Sequence, residues 1–134
     1  MPKKRRKVNT FKPIFLAIII IIFVLILDFI TVNNTKKIVD FMNNSLNDID
    51  EKLAQDEYPD MEAKNLLTEW EKNEKILSYY LEHDEVEKIG NSINLIKKQI
   101  EIRDYDDARQ SITETKFLFD HIEEKQILNV ENFF

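Results

Sequence analysis

The sequence predicts an all-α protein: one N-terminal transmembrane helix followed by an antiparallel bundle of about four helices, arranged as two hairpins. Three observations predict it. Nineteen consecutive residues, Ile14–Val32, are apolar except for Asp28 and Thr31. Beyond Thr35 the apolar residues recur at three-and-four spacing, the signature of amphipathic helices. The 134 residues include one Gly, three Pro and no Cys, too few breakers for a loop-rich fold.

The apolar segment comes first. As a helix, Ile14–Val32 would be roughly 28 Å long, close to the thickness of a bilayer's hydrocarbon core. It is preceded by Lys3, Lys4, Arg5, Arg6, Lys7 and Lys12 without an intervening acid. Basic residues flanking such a segment stay on the cytoplasmic side, so the expectation is N-terminus in and C-terminal domain out. The run PKKRRKV at 2–8 resembles a nuclear-import signal, but basic runs of that length match by chance and the adjoining apolar segment outweighs it. A cleavable leader would need small residues at a cleavage site. The residues that follow, Asp28-Phe29-Ile30-Thr31-Val32-Asn33, are bulky or branched. The organisation expected is a basic cytoplasmic tail (1–12), a transmembrane signal-anchor (13–32) and an acidic extracytoplasmic domain (33–134).

That last part holds 13 Lys or Arg against 24 Asp or Glu, a net charge of −11. Such a surface repels phosphate backbones, so no nucleic-acid partner is expected. A first helical stretch carries Ile38, Met42, Leu46, Ile49 and Leu53 and ends before Pro59, which disfavours helix at the preceding residue. Asp60 suits an N-cap for a second stretch with Ala63, Leu66, Leu67, Trp70, Leu77 and Leu81. A third opens on Asp84-Glu85-Val86-Glu87, which resembles a capping box. It runs through Val86, Ile89, Ile93, Ile96 and Ile100, the cleanest periodic stripe in the chain. Gly90 falls inside it and is expected to permit close packing. A fourth follows Asp104 with Ala108, Ile112, Thr115, Leu118, Phe119 and Ile122. Short connections imply antiparallel neighbours. Val39, Met42, Leu46, Ile49, Leu53 and Tyr58 are echoed 47 positions later by Val86, Ile89, Ile93, Ile96, Ile100 and Tyr105, which suggests two related hairpins.

Candidate functional residues are few. Asp28 lies some 21 Å along the apolar segment, toward its outer end; intramembrane acids are functional candidates because burying them is costly. His83 and His121, with Asp84 and Asp120 beside them, are the residue types that could hold a divalent metal. Their spacing has no local ligand signature, and a His at a helix end is explained by the helix dipole. The expectation is therefore no metal and no cofactor. Trp70, His83, Glu85 and the terminal Phe133 and Phe134 complete the interaction candidates; the tail should return toward the membrane surface. No catalytic triad, phosphate-binding loop or paired-carboxylate motif can be defended, so no enzyme is expected.

LLTEWEKN around Trp70, HDEVEKI at 83–89, KFLFDHI at 116–122 and the tail NVENFF resemble the small membrane-anchored bacterial family catalogued as domain of unknown function 4363, found in Gram-positive bacteria. The final Asn132-Phe133-Phe134 departs by one residue from the family's Asn-Ile-Phe ending. The resemblance implies an architecture and a lineage, with no catalytic residues to transfer. The expected function is a non-catalytic, membrane-tethered interaction or scaffold module of the cell envelope. Its partner would be a membrane or envelope protein, multi-pass or otherwise, with homo-oligomers also open. The alternative is an extracytoplasmic bundle that senses a ligand or divalent cation through a membrane partner.

Overall fold

The computed structural model describes residues 9–131. Among them are four α-helices and no strand: α1 (Phe11–Ala54), α2 (Asp60–Leu77), α3 (His83–Glu101) and α4 (Tyr105–Glu131). The basic run at 3–7, Phe133 and Phe134 lie outside the described residues.

The anchor and the first bundle helix, read from the sequence as separate stretches, are one helix of 44 residues, roughly 66 Å long. Asn33, Asn34 and Thr35 have modest helix propensity but include no Gly or Pro, so nothing there stops propagation. The apolar part of α1 is long enough to cross a membrane, and none of its most apolar window is buried within the chain. It is compatible with a single-pass anchor. From Thr35 onward the same helix buries Thr35, Ile38, Val39, Met42, Leu46, Ile49 and Leu53.

Sequence-adjacent helices run in opposite directions, as cross-helix bonds show. The end of α1 meets the start of α2 through the Lys52–Glu62 ion pair, while Asn34 Nδ2 and Thr35 Oγ1 donate to the Tyr80 hydroxyl at 3.0 and 3.2 Å at the other end. α4 descends beside α1 through Arg109–Asp50 at 2.7 Å, Lys116–Asn47 at 2.5 Å and Asn43–Asp120 at 3.2 Å. α1 packs on α2 and α4, and α3 packs on the same two helices; α1/α3 and α2/α4 sit across the diagonals. The predicted third stripe, Val86, Ile89, Ile93, Ile96 and Ile100, is buried in full. Trp70 crosses the centre from α2 to meet Phe119 of α4 edge-on, with ring centroids 5.7 Å apart.

Helix ends depart from expectation. Asp60 is the first residue of α2, and Pro59 takes the cap position without a side-chain bond; the Pro59 carbonyl accepts from the Ala63 N–H. The Asp84–Glu87 capping box does not form. Glu82 takes the cap position of α3, its carbonyl accepts from Glu85 and Val86, and Asp84 turns to Lys88 at 3.4 Å. α2 also ends at Leu77, so Leu81 packs from the following turn.

The two turns farthest from the apolar segment share one design. Asp56 and Arg103 are the only non-glycine residues with positive φ among those described, at 57° and 64°, and they stand 47 positions apart, the spacing of the sequence echo. Each closes its helix by the same bond pair. Glu57 N–H reaches the Lys52 carbonyl and Asp56 N–H the Leu53 carbonyl; Asp104 N–H reaches Gln99 and Arg103 N–H reaches Ile100. This is the Schellman arrangement, built here without glycine. Tyr58 and Tyr105 follow at equal distance and their rings meet at 6.3 Å, with the Arg103 guanidinium 4.6 Å from the centre of the Tyr58 ring.

Candidate functional site

A cleft of about 430 Å³ lies along the α2–α3 seam. Leu67, Trp70, Val86 and Gly90 supply its apolar part; Glu71, Glu74, Ser78, His83, Glu87, Asn91 and Asn94 supply its polar walls. Helical periodicity explains the composition. Trp70, Val86 and Gly90 fall near the core stripe, while Glu71, Glu74 and Glu87 flank it at the edge where two cylinders part.

Trp70 is 1% exposed, and its Nε1 has no hydrogen-bond partner among the described residues. A buried indole N–H left unpaired is uncommon, because burial removes water that would otherwise accept from it. The edge carrying that N–H faces Gly90: a Cβ placed there would lie 3.0 Å from Nε1. Gly90 is thus needed for its missing side chain rather than for an unusual backbone angle. Trp70, a sequence candidate for interaction, is a core residue, packed against Phe119 with its N–H edge covered by Gly90.

The cleft is one-sided in charge. Some carboxylates elsewhere on the bundle are paired, among them Glu62 with Lys52, Glu69 with Lys72, Asp60 with Arg103 and Asp50 with Arg109. Glu71, Glu74 and Glu87 form no ion pair among the described residues. The Lys52 hydrogen bond holds the Glu62 carboxyl below the usual range.

His83 and His121 do not share a site. His83 lines the α2–α3 cleft, whereas His121 lies on the α3–α4 seam with Nε2 3.7 Å from Glu85 Oε1. Asp84 borders that second seam, and Asp120 is turned to Asn43 on α1. Among the described residues no three His, Asp or Glu side chains are grouped so as to hold a metal ion. Glu85, the other interaction candidate, has a side chain only 11% exposed and is bound by Lys125 at 2.9 Å, which also grips Glu82 at 2.8 Å. These two carboxylates hold the Lys125 amine above its ordinary range. Asp28 is half-buried, as are Leu25, Thr31 and Val32 on the same mostly exposed segment, and its backbone carbonyl accepts from Thr31 Oγ1 at 3.0 Å.

Sequence reasoning missed Glu71, Glu74 and Glu87 as a group, and Lys125 as a clamp. Glu71 and Glu74 sit one and four residues after Trp70, a signal in principle, but their meeting with Glu87 depends on which seam α2 and α3 form.

The family model described as Domain of unknown function (DUF4363) matches residues 29–133. The match begins inside α1, near the C-terminal end of its apolar segment, and covers the rest of α1 together with α2, α3 and α4. No curated protein and no solved structure matched the chain.

Proposed function

Because the chain belongs to the DUF4363 family, whose description assigns no activity, we propose from the molecule itself that it is a non-catalytic, membrane-tethered helical interaction module of the cell envelope. The observation that carries this reading is α1. None of its apolar window is buried within the chain, yet the helix continues without a break into the bundle core. A helix that is apolar all round needs lipid or another protein to cover it. The six basic residues ahead of it favour a cytoplasmic N-terminus, leaving the acidic bundle outside the cytoplasmic membrane.

On this reading the helix register suggests which residues lie at the membrane surface. With Val32 at the edge of the hydrocarbon, Asn34 stands about 3 Å above it, and Tyr80, bonded to Asn34, marks the same level. Continuing the Asn43–Asp120 pairing down α4 brings Ile127 opposite Lys36. Exposed Tyr79, Ile127 and Leu128 therefore fall in the headgroup layer, where amphipathic and apolar side chains are favoured. Asp28 falls about 6 Å inside the hydrocarbon, placed for a polar contact with a partner's transmembrane helix.

Mild crosslinking and affinity capture of the wild type and Asp28→Leu test the partner. A protein enriched with wild type and lost with Asp28→Leu supports the reading; its absence from both captures removes it. The chain has no Cys, so Asn9→Cys and Glu57→Cys report orientation cleanly. An impermeant maleimide on intact cells should label Glu57→Cys alone, and labelling of Asn9→Cys alone would reverse the topology.

A further inference from the structure

We propose that α1, below the bundle, offers its bundle-facing side to a transmembrane helix of a different protein, one that carries a basic side chain opposite Asp28 and ends at the outer surface. The proposal rests on the membrane-tethered reading and deepens it by naming the docking face and the kind of helix that fits it.

The face follows from the register of α1. Its buried residues Leu46, Met42, Val39 and Thr35 recede by four, three and four positions, and the same alternation continues downward through Val32, Asp28, Leu25 and Ile21. Seven residues advance an α-helix by about two turns less 20°, so Asp28 projects within about 20° of Thr35. Above, that side of the helix meets the bundle core. Below, it carries the one acid of the apolar segment. The opposite side, with Phe23, Ile26 and Ile30, is exposed and wholly apolar, which suits lipid.

Two observations restrict what covers the Asp28 side. The first is chemical. On the membrane-tethered reading Asp28 lies about 6 Å inside the hydrocarbon, and its carboxylate has no ion pair among the described residues. The nearby Thr31 hydroxyl donates to the Asp28 backbone carbonyl. Acids at such depth are costly and are normally paired; Arg or Lys supplies donors and the compensating charge together.

The second is steric. α1 runs unbroken to Ala54, and the copies of a homodimer would share its orientation. A second α1 packed on this side at the usual spacing of about 8–10 Å would continue upward through the space held by Met42, Leu46, Trp70 and Phe119 in the core. A crossing angle of about 20° turns it too little to pass outside α2 or α4. The occupant therefore stops below Tyr80, whose hydroxyl is bonded to Asn34 and Thr35 and closes the base of the bundle beside α1. Such a helix terminates or turns back through a short loop, as a second copy of this chain does not.

The full chain is reconstituted in phosphatidylcholine nanodiscs with photoreactive benzoylphenylalanine in place of Ile21 or Leu25, or of Phe23 or Ile26 on the opposite side. It is illuminated with leucine–alanine transmembrane peptides of three kinds. The first carries an Arg about four residues below its outer end, the second has Leu there, and the third adds a soluble helix of about twenty residues above the Arg peptide's outer end. Adducts with the short Arg peptide are expected from the Ile21 and Leu25 positions. They should exceed by about fivefold or more those with the other two peptides, and those of Asp28→Leu with the Arg peptide. Unchanged thermal melting of Asp28→Leu excludes a folding defect. Equal adducts from the Phe23 and Ile26 positions overturn the proposal, as do equal adducts with the extended peptide or a covalent homodimer from Ile21 and Leu25. So does an Arg peptide no better than the Leu peptide, which leaves lipid as the cover. The native partner is absent from this assay, so it can fail while capture through Asp28 succeeds; that result removes the face and keeps the interaction reading. A failed capture beside intact adducts removes the native partner and keeps the face.

Discussion

Replacing Gly90 by Ala tests the packing at the centre of the bundle, because two effects of opposite sign meet there. In an unobstructed helix interior the change stabilises by about 1 kcal/mol, since Gly has the higher backbone entropy to lose. Here the new methyl would sit 3.0 Å from Trp70 Nε1, closer than ordinary van der Waals contact, and 3.8 Å from its Cδ1. The indole would have to retreat by a few tenths of an ångström, yet it is 1% exposed and its face is fixed by Phe119. Overfilling a packed core costs about 1–3 kcal/mol. The balance is a net loss of about 1 kcal/mol, or a melting temperature lower by about 4–8 °C for a domain of this size. Thermal unfolding of the full chain in detergent, followed by circular dichroism and Trp emission, measures it. A Tm raised by several degrees would refute the reasoning, because it would mean that Gly90 is merely a weak helix residue. Trp70→Phe supplies the control. It removes the indole N–H edge, so adding Gly90→Ala in that background should stabilise rather than destabilise, giving a coupling of about 1–2 kcal/mol between the two sites.

Asp56 adopts a left-handed backbone at the end of α1, so Asp56→Gly should stabilise by about 1 kcal/mol, read as a higher denaturant midpoint with an unchanged slope. Lys125→Met removes the ammonium that binds the nearly buried Glu85 carboxylate at 2.9 Å and should lower Tm at neutral pH; an unchanged Tm would mean the clamp is ornamental. Burial and, next, the nearby Asp40 carboxylate hold the Glu123 carboxyl above its ordinary range. The folded state therefore binds that proton more tightly than the unfolded state, and stability from this group rises as pH falls from neutral through the raised value. Glu123→Gln should accordingly raise Tm at pH 7, and the gain should vanish below the ordinary carboxylate range; a constant difference across pH would contradict the assignment. Glu62 behaves oppositely: held low by Lys52, it contributes stability that is lost in acid.

The sequence by itself determined the helices and their buried faces. Val86, Ile89, Ile93, Ile96 and Ile100 were identifiable as core because a 3.6-residue repeat forces them onto one stripe, and that stripe can leave water only by packing. The apolar character of Ile14–Val32 was equally plain, since composition alone carries it. Tertiary structure decided the rest. Periodicity says which face turns inward but not which neighbour it meets, so the separation of His83 from His121 onto different seams could not be read in advance. Nor could the meeting of Glu71 and Glu74 with Glu87. Helix ends were misplaced for a related reason: the Asp60 and Asp84 side chains had competing partners in Arg103 and Lys88, and the helices began one or two residues earlier. The continuity of α1 was missed because a change from apolar to amphipathic pattern alters what a helix packs against without interrupting its backbone hydrogen bonds. The apolar segment and the first bundle helix are therefore one continuous helix, with Asp28 on its apolar part and the core residues Thr35 to Leu53 on the part that packs in the bundle.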